Sequence, residues 1–217
     1  MRRSTLRTTP ASRNGRRTLR SLADLAQAGL VPPGRLAALE RVAAEYAVAI
    51  TPAVAELIDP ADPADPIARQ FVPAAAEGDV RPRESADPIG DDAHSPVEGI
   101  VHRYPDRVLL KLVHVCAVYC RFCFRRAMVG PGKRRALPPA AMAAALDYIR
   151  AHPEIWEVIL TGGDPLVLSP RRLREVVRGL AAVDHVKVIR THTRIPVVDP
   201  ARITAEMVRA LKAGGKA

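Results

Sequence analysis

Cysteine is scarce in this chain: three among 217 residues, all of them between positions 116 and 123. An oxidising compartment would pair or damage thiols so exposed to chemistry, and no secretory leader precedes them, so a reducing compartment, the cytoplasm, is expected. Long apolar runs are missing too. None approaches the ~18 residues that span a bilayer, which predicts a soluble chain without membrane contact. Acid is absent from residues 1–20, which carry seven arginines and account for most of the net charge of +10. A basic excess confined to a tail argues against a nucleic-acid partner, and the tail reads as disordered. An organellar presequence is the other reading of that composition. The length allows one sizeable domain plus a smaller one, or part of a larger domain.

The three cysteines are spaced C-x3-C-x2-C: Cys116, Cys120 and Cys123. One short loop thus offers three thiolates, one fewer than an ordinary [4Fe-4S] cluster takes, and one iron would stay open. A small molecule chelated there could receive an electron from the cluster, which converts an electron-transfer centre into a site of radical chemistry. Three plainer readings compete: a zinc site, a disulfide with an odd thiol, or three unrelated buried thiols. Zinc usually wants a second ligand pair, and His114 is the only histidine nearby.

Around this loop the chain changes character several times. Over residues 21–57 apolar residues recur at helical spacing, broken at Pro32-Pro33-Gly34, with Ser21 as an N-cap and Thr51-Pro52 as a helix start. This predicts a small helical N-terminal module. Residues 58–101 are dense in proline and acid and predict an extended, wrapping segment. Over residues 102–217 strand and helix alternate: strands at 107–115, 156–161 and 185–191, and helices at 138–151, 169–182 and 204–213, with Ser169-Pro170 as a cap. The expected fold class is α/β, three βα units of a parallel barrel with helices outside. Such barrels carry their chemistry at the carboxyl ends of the strands. The cysteines, Gly162-Gly163-Asp164 and His192-Thr193-Arg194 all fall there.

Taken together, the run from His102 to Arg107, the cysteine loop through Arg126, Thr161 to Leu166 and Arg194 to Ile203 resemble the lysine 2,3-aminomutase family. These are radical S-adenosylmethionine (SAM) enzymes that also use pyridoxal 5'-phosphate (PLP). The resemblance implies a partial radical SAM barrel and an isomerase that moves the α-amino group of L-lysine to the β-carbon. It implies that Cys116, Cys120 and Cys123 ligate a [4Fe-4S] cluster, that Phe122 lies against SAM, and that Gly162, Gly163 and Asp164 form the loop gripping its methionyl amine. A plain β-to-α turn explains the last three residues equally well. It further implies that Arg103, Tyr104 and Arg107 line the PLP site, where guanidinium forks suit a phosphate, and that Arg125 holds the substrate carboxylate. Without the resemblance, Arg103 and Arg107 read as a solvated basic pair. His192, Thr193 and Arg194 receive no role.

The family's cofactor-anchoring lysine finds no match here, neither Lys212 nor Lys216, so catalytic residues stay unassigned and the chain reads as a truncated member. Half a barrel would leave its last strand unpaired, and an aggregation-prone chain or one needing a second polypeptide is expected. The implied partners are an amino-acid substrate, an electron donor such as a reductase, flavodoxin or ferredoxin, and a second copy in a homo-oligomer. Two alternatives stand beside this reading: a lysine isomerase serving elongation-factor modification, and a non-catalytic cluster-binding remnant.

Overall fold

The computed structural model describes residues 17–79, 81–130, 132 and 135–217. Residues 1–16, most of the expected arginine-rich tail, lie outside the described residues. Leu19, placed in that tail by composition, is buried at 4% exposure and exchanges backbone hydrogen bonds with Ile50. It belongs to the packed N-terminal module.

That module holds α1 (Leu22–Gln27), α2 (Leu36–Glu45) and α3 (Pro52–Ala55). Ser21 caps α1 as its sequence predicts: its side chain accepts from the Asp24 backbone N–H while the Asp24 carboxylate accepts from the Ser21 N–H, a reciprocal capping box. Thr51 precedes Pro52 at the start of α3, but its hydroxyl leaves the helix uncapped and donates instead to the Val198 carbonyl. A long-range tie replaces the local cap. Leu25, Ile50, Val54 and Phe71 pack with Val118 of the cysteine loop and with Val198, so this module's core closes over the loop.

The proline- and acid-rich segment is not an extended wrap. It forms a chain of tight turns with one short helix, α4 (Ala68–Phe71). Asp59, Asp62 and Asp65 each accept a hydrogen bond from the backbone N–H two residues on, at 2.9, 2.8 and 2.9 Å. Aspartate turns of this kind explain why the repeats alternate aspartate with proline: one residue closes each turn and the other fixes φ.

Four strands make one sheet in the order β1-β2-β3-β4: β1 (Ile100–Tyr104), β2 (Arg107–Val113), β3 (Glu157–Gly162) and β4 (Val188–Thr191). Pairing is antiparallel between β1 and β2 and parallel thereafter. Strand β1 is a correction to the sequence reading, which began the sheet at residue 107. Its alternation is broken by a register shift, so periodicity alone misses it. Helices α5 (Pro139–Ala151) and α6 (Pro170–Ala181) follow β2 and β3, and α7 (Ile195–Val198) and α8 (Ala205–Leu211) follow β4. These are the three expected βα units of an α/β fold. Ser169 caps α6 by accepting from the Arg172 N–H at 3.3 Å. On the free side of β4, the Ile189 N–H donates to the Ala217 carbonyl.

The sheet has two unlike faces. Val108, Leu110, Leu112, Val158 and Leu160 point toward α5, α6 and α8, where they join Ile149, Leu173, Val177, Leu180 and Met207 in the main core. Register puts Arg107, Leu109 and Lys111 beside Glu157, Ile159 and Thr161 on the other face. One face builds the core and the other is free for chemistry. Among the described residues no helix is long and apolar enough to cross a membrane. Leu110 is fully buried among these helices, so Leu110→Ala should lower the unfolding free energy by about 2–5 kcal/mol, read from urea denaturation.

Candidate functional site

The carboxyl end of β2 runs straight into the cysteine loop, which is pinned from three sides. The N–H of His114 donates to Arg135 and that of Gly130 to His114, closing the loop's base at 3.2 and 2.9 Å. Tyr119 donates to Ala49 and Arg121 to Gln70, so the middle of the loop hangs on the N-terminal module and on the segment that follows it. The Arg121 side chain, mostly buried, grips Glu77 at 2.7 Å and the Ala47 carbonyl at 2.8 Å. Outside these ties the loop has almost no secondary structure of its own.

Gly162 and Gly163 fix the third side. Gly162 has φ +106°, and a Cβ on it would meet the Val113 carbonyl oxygen at 2.3 Å; a Cβ on Gly163 would meet that of Val115 at 2.2 Å. The Gly163 N–H donates to Val113 and the Asp164 N–H to Val115 at 2.5 and 3.0 Å. Two backbones touch here, and only glycine permits it. This close contact is one the sequence reading did not foresee, having set the glycines against a ligand.

Asp164 is buried, and its carboxylate is well occupied. Oδ1 accepts from the Leu166 N–H at 3.0 Å and the Thr193 hydroxyl at 2.6 Å, and Oδ2 from the Arg194 N–H at 2.7 Å. It therefore clamps the loop after β4 to the loop after β3. Arg194, left without a role by sequence reasoning, is aimed by this clamp: its Nη1 lies 2.9 Å from the Cys120 sulfur and its Nη2 3.3 Å from Gln70 Oε1. Its guanidinium also sits 5.4 Å from the Phe71 ring and 5.5 Å from that of Phe122. The usable signal in the sequence was its place just past a strand's carboxyl end.

All three cysteines are free thiols lining one hollow with Tyr46, Ala47, Tyr119 and Arg126. Burial pushes the Cys116 thiol up to about 12, helped by the charges of Asp164, Cys123 and Cys120. Burial also raises Cys120, with Arg194 opposing. Among the described residues no three His, Cys, Asp or Glu side chains close on a point as one metal ion requires. Thiolates that each hold a different iron need no such convergence, so the donor set fits a cluster better than it fits a mononuclear zinc. Phe122, 64% exposed, offers a bare ring beside the hollow.

The residues expected around PLP and substrate do not share one point. Arg103 reaches Asp91 at 3.5 Å and donates to the Ile89 carbonyl. Arg107 forks onto Asp106 at 2.9 and 2.7 Å, meets Glu157 at 3.2 Å and lies 5.9 Å from the Trp156 ring. Tyr104, between them at the hairpin, is exposed. Arg125 is buried and holds Asp91 Oδ2 through Nε at 3.0 Å and Nη2 at 2.8 Å. Asp91, which sequence reasoning passed over, thus links Arg103 to Arg125. Glu157 is fully buried, and neither of its oxygens has hydrogen-bond geometry. Both nonetheless sit within ion-pair reach, of Arg107 at 3.2 Å and Arg190 at 2.7 Å. The ion pairs are the better guide, since Coulomb attraction does not need a linear N–H.

Comparison with known proteins agrees with this geometry. The family model described as the Radical SAM superfamily matches residues 110–217. L-lysine 2,3-aminomutase of Clostridium subterminale is 43% identical over 165 residues, covering 76% of this chain and 39% of that protein. Its counterparts in Bacillus subtilis and Escherichia coli are 40% and 37% identical, covering 75% of this chain each and 34% and 47% of their own lengths. The chain spans roughly two fifths of the length of the curated relatives it matches.

Two outcomes follow. A cation hydrogen-bonded to a ligating sulfur raises a cluster's potential, so Arg194→Met should shift the midpoint of a reconstituted cluster to more negative values in an EPR-monitored redox titration, leaving iron content unchanged. In the metal-free protein the raised Cys116 means that stability is intact below the ordinary thiol value near 9 and is lost as pH climbs toward 12. Urea midpoints taken at pH 8 and pH 10.5 should fall more steeply for the native chain than for Cys116→Ser.

Proposed function

This chain belongs to the radical SAM superfamily, and on that premise we propose that it serves an aminomutase reaction of the lysine 2,3 type, with L-lysine as substrate. The observation that carries the reading is that Cys116, Cys120 and Cys123, unpaired, line one hollow at the carboxyl ends of the parallel strands. When bound, a [4Fe-4S] cluster with SAM supplies a carbon-centred radical after one-electron reduction, and PLP supplies an electron sink for migration of the amino group.

Each side chain then has work it can do. The three cysteines would hold the cluster, and Arg194 would favour the ionised sulfur of Cys120. Phe122 would cover the adenine of SAM with its exposed ring. Gly162 and Gly163 would form the wall beside the methionyl end, with Asp164 setting their neighbours in place. Arg125 would receive the substrate carboxylate on Nη1, because Asp91 holds the opposite edge of the guanidinium and fixes its plane. Arg103 and Tyr104 would meet the phosphate of PLP. Arg107 is committed to Asp106 and Glu157, and in this reading it braces the hairpin that presents the other two. A one-electron donor and a reducing compartment are required by the chemistry of a low-potential cluster.

Anaerobic reconstitution with iron and sulfide, then dithionite and SAM, should release 5'-deoxyadenosine, with β-lysine formed when PLP and L-lysine are present. Cys120→Ala should abolish release. A protein that stays colourless and EPR-silent, or a Cys120→Ala variant as active as the native chain, would overturn the reading.

A further inference from the structure

Among the described residues Lys111 is the one lysine in the middle of a strand, and its surroundings are unusual. It lies on the face of β2 turned away from the helices, in register with Thr161 on β3. The Thr191–Leu160 pairing and the hydrogen bond from the His192 N–H to the Leu160 carbonyl carry the same row on to His192. Adjacent strands are about 4.8 Å apart, so the backbone positions of a lysine, a threonine and a histidine stand side by side, on two strands and at the end of a third.

Lys111 is 6% exposed and Thr161 4%. A lysine so buried normally pairs with an acid. Among the described residues, however, every ion pair on this face goes to an arginine: Arg103 and Arg125 to Asp91, Arg107 and Arg190 to Glu157. Lys111 makes none, and among the described residues its Nζ has no hydrogen-bond acceptor; it acts on Asp87 only at longer range. Asp87 is itself taken up by the backbone N–H groups of Asp91 and Asp92. Nor is Nζ sealed off, since the described buried side-chain atoms without a partner are both on Glu157. The stem is covered while the ammonium tip stays reachable, as long cationic side chains allow.

We propose that Lys111, Thr161 and His192 form an oxyanion site that receives a phosphate or carboxylate group of the bound ligand. A cation flanked by two neutral hydrogen-bonding groups suits a group with two or three acceptor oxygens. Arg190 lies on the same face, in register with Ile159, and the charge of Arg125 acts on His192. His192 lies exposed at the strand end, and partial desolvation with the nearby charges of Arg190 and Arg125 lowers its pKa, Glu157 opposing, which favours the neutral imidazole as a donor. The inference rests on the proposed function for its choice of ligands, the phosphate of a pyridoxal-type cofactor or the carboxylate of an amino acid.

Binding by the reconstituted full chain separates these sources. Pyridoxamine 5'-phosphate is compared with pyridoxamine, and L-lysine with L-lysinamide, by calorimetry. Lys111→Met should weaken binding of one oxyanion-bearing probe about tenfold or more, the share of a charge-assisted hydrogen bond. Its oxyanion-free counterpart should be unaffected, and Lys111→Arg should restore part of the loss. On the unmutated chain, the same probe should slow acetylation of Lys111 measured by mass spectrometry, which needs no variant to fold. A Lys111→Met chain that binds every probe as the native chain does, or unchanged acetylation with either oxyanion-bearing probe bound, would overturn the site. Release of 5'-deoxyadenosine, in which Lys111 takes no part, reports on the proposed function separately.

Discussion

Everything in this architecture depends on a contact between two stretches of bare backbone. At the last pair of β2 and β3 and just past it, Gly162 and Gly163 lie so close to Val113 and Val115 that no side chain fits between them. The parallel pairing is thereby extended past the end of the sheet and into the loop that carries the cysteines. A loop with little secondary structure would otherwise be free to move, and a multi-iron cluster needs its sulfurs held in fixed relation. Two hydrogen bonds and the absence of two methyl groups meet that need. Asp164 then passes the constraint one strand further, to Thr193 and Arg194, and Arg194 returns it to the cysteines through Cys120.

The N-terminal module completes the enclosure from the opposite side. Its core includes Val118, its turns supply Ala47 and Ala49, and the segment after it supplies Gln70 and Glu77, to the loop's backbone and to Arg121. The unusual composition of the segment after it follows from the same task. A run of aspartate-closed turns can follow a curved surface without a hydrophobic face of its own, and it delivers carboxylates at its bends. Asp91 is one of those carboxylates. Placed between Arg103 and Arg125, it brings two guanidinium groups from separate parts of the chain to one side of the sheet.

What sequence reveals here depends on how local the cause is. Cysteine spacing, the Ser21 and Ser169 caps and the strands that alternate with helices all arise from interactions within a few residues, and each is legible. Gly162-Gly163-Asp164 was legible as a place and not as a purpose, because the partner that requires glycine is backbone some fifty positions earlier. Arg194 and Asp91 act across long separations, on Cys120 and Arg125, and no local pattern announces such pairings. Strand β1 was hidden by its irregular register, and Thr51 abandoned a local cap for Val198. Long-range pairing overrode local preference in each of these cases.

The charge on the open face of the sheet is what would suit that face to a small anionic ligand rather than to a core. Buried guanidinium and ammonium groups are costly unless paired, and a fold seeking stability alone would fill such a face with leucine and valine, as its opposite face does. Here Asp91 and Glu157 each serve two arginines, a ratio that leaves donor capacity unspent. The carboxylates neutralise enough of the charge for the strands to pair and the face to close, and they hold the guanidinium planes still. The remaining donors are left where an incoming carboxylate or phosphate would replace water. A ligand bound there would complete the charge balance that the protein leaves open, and would find its partners already oriented.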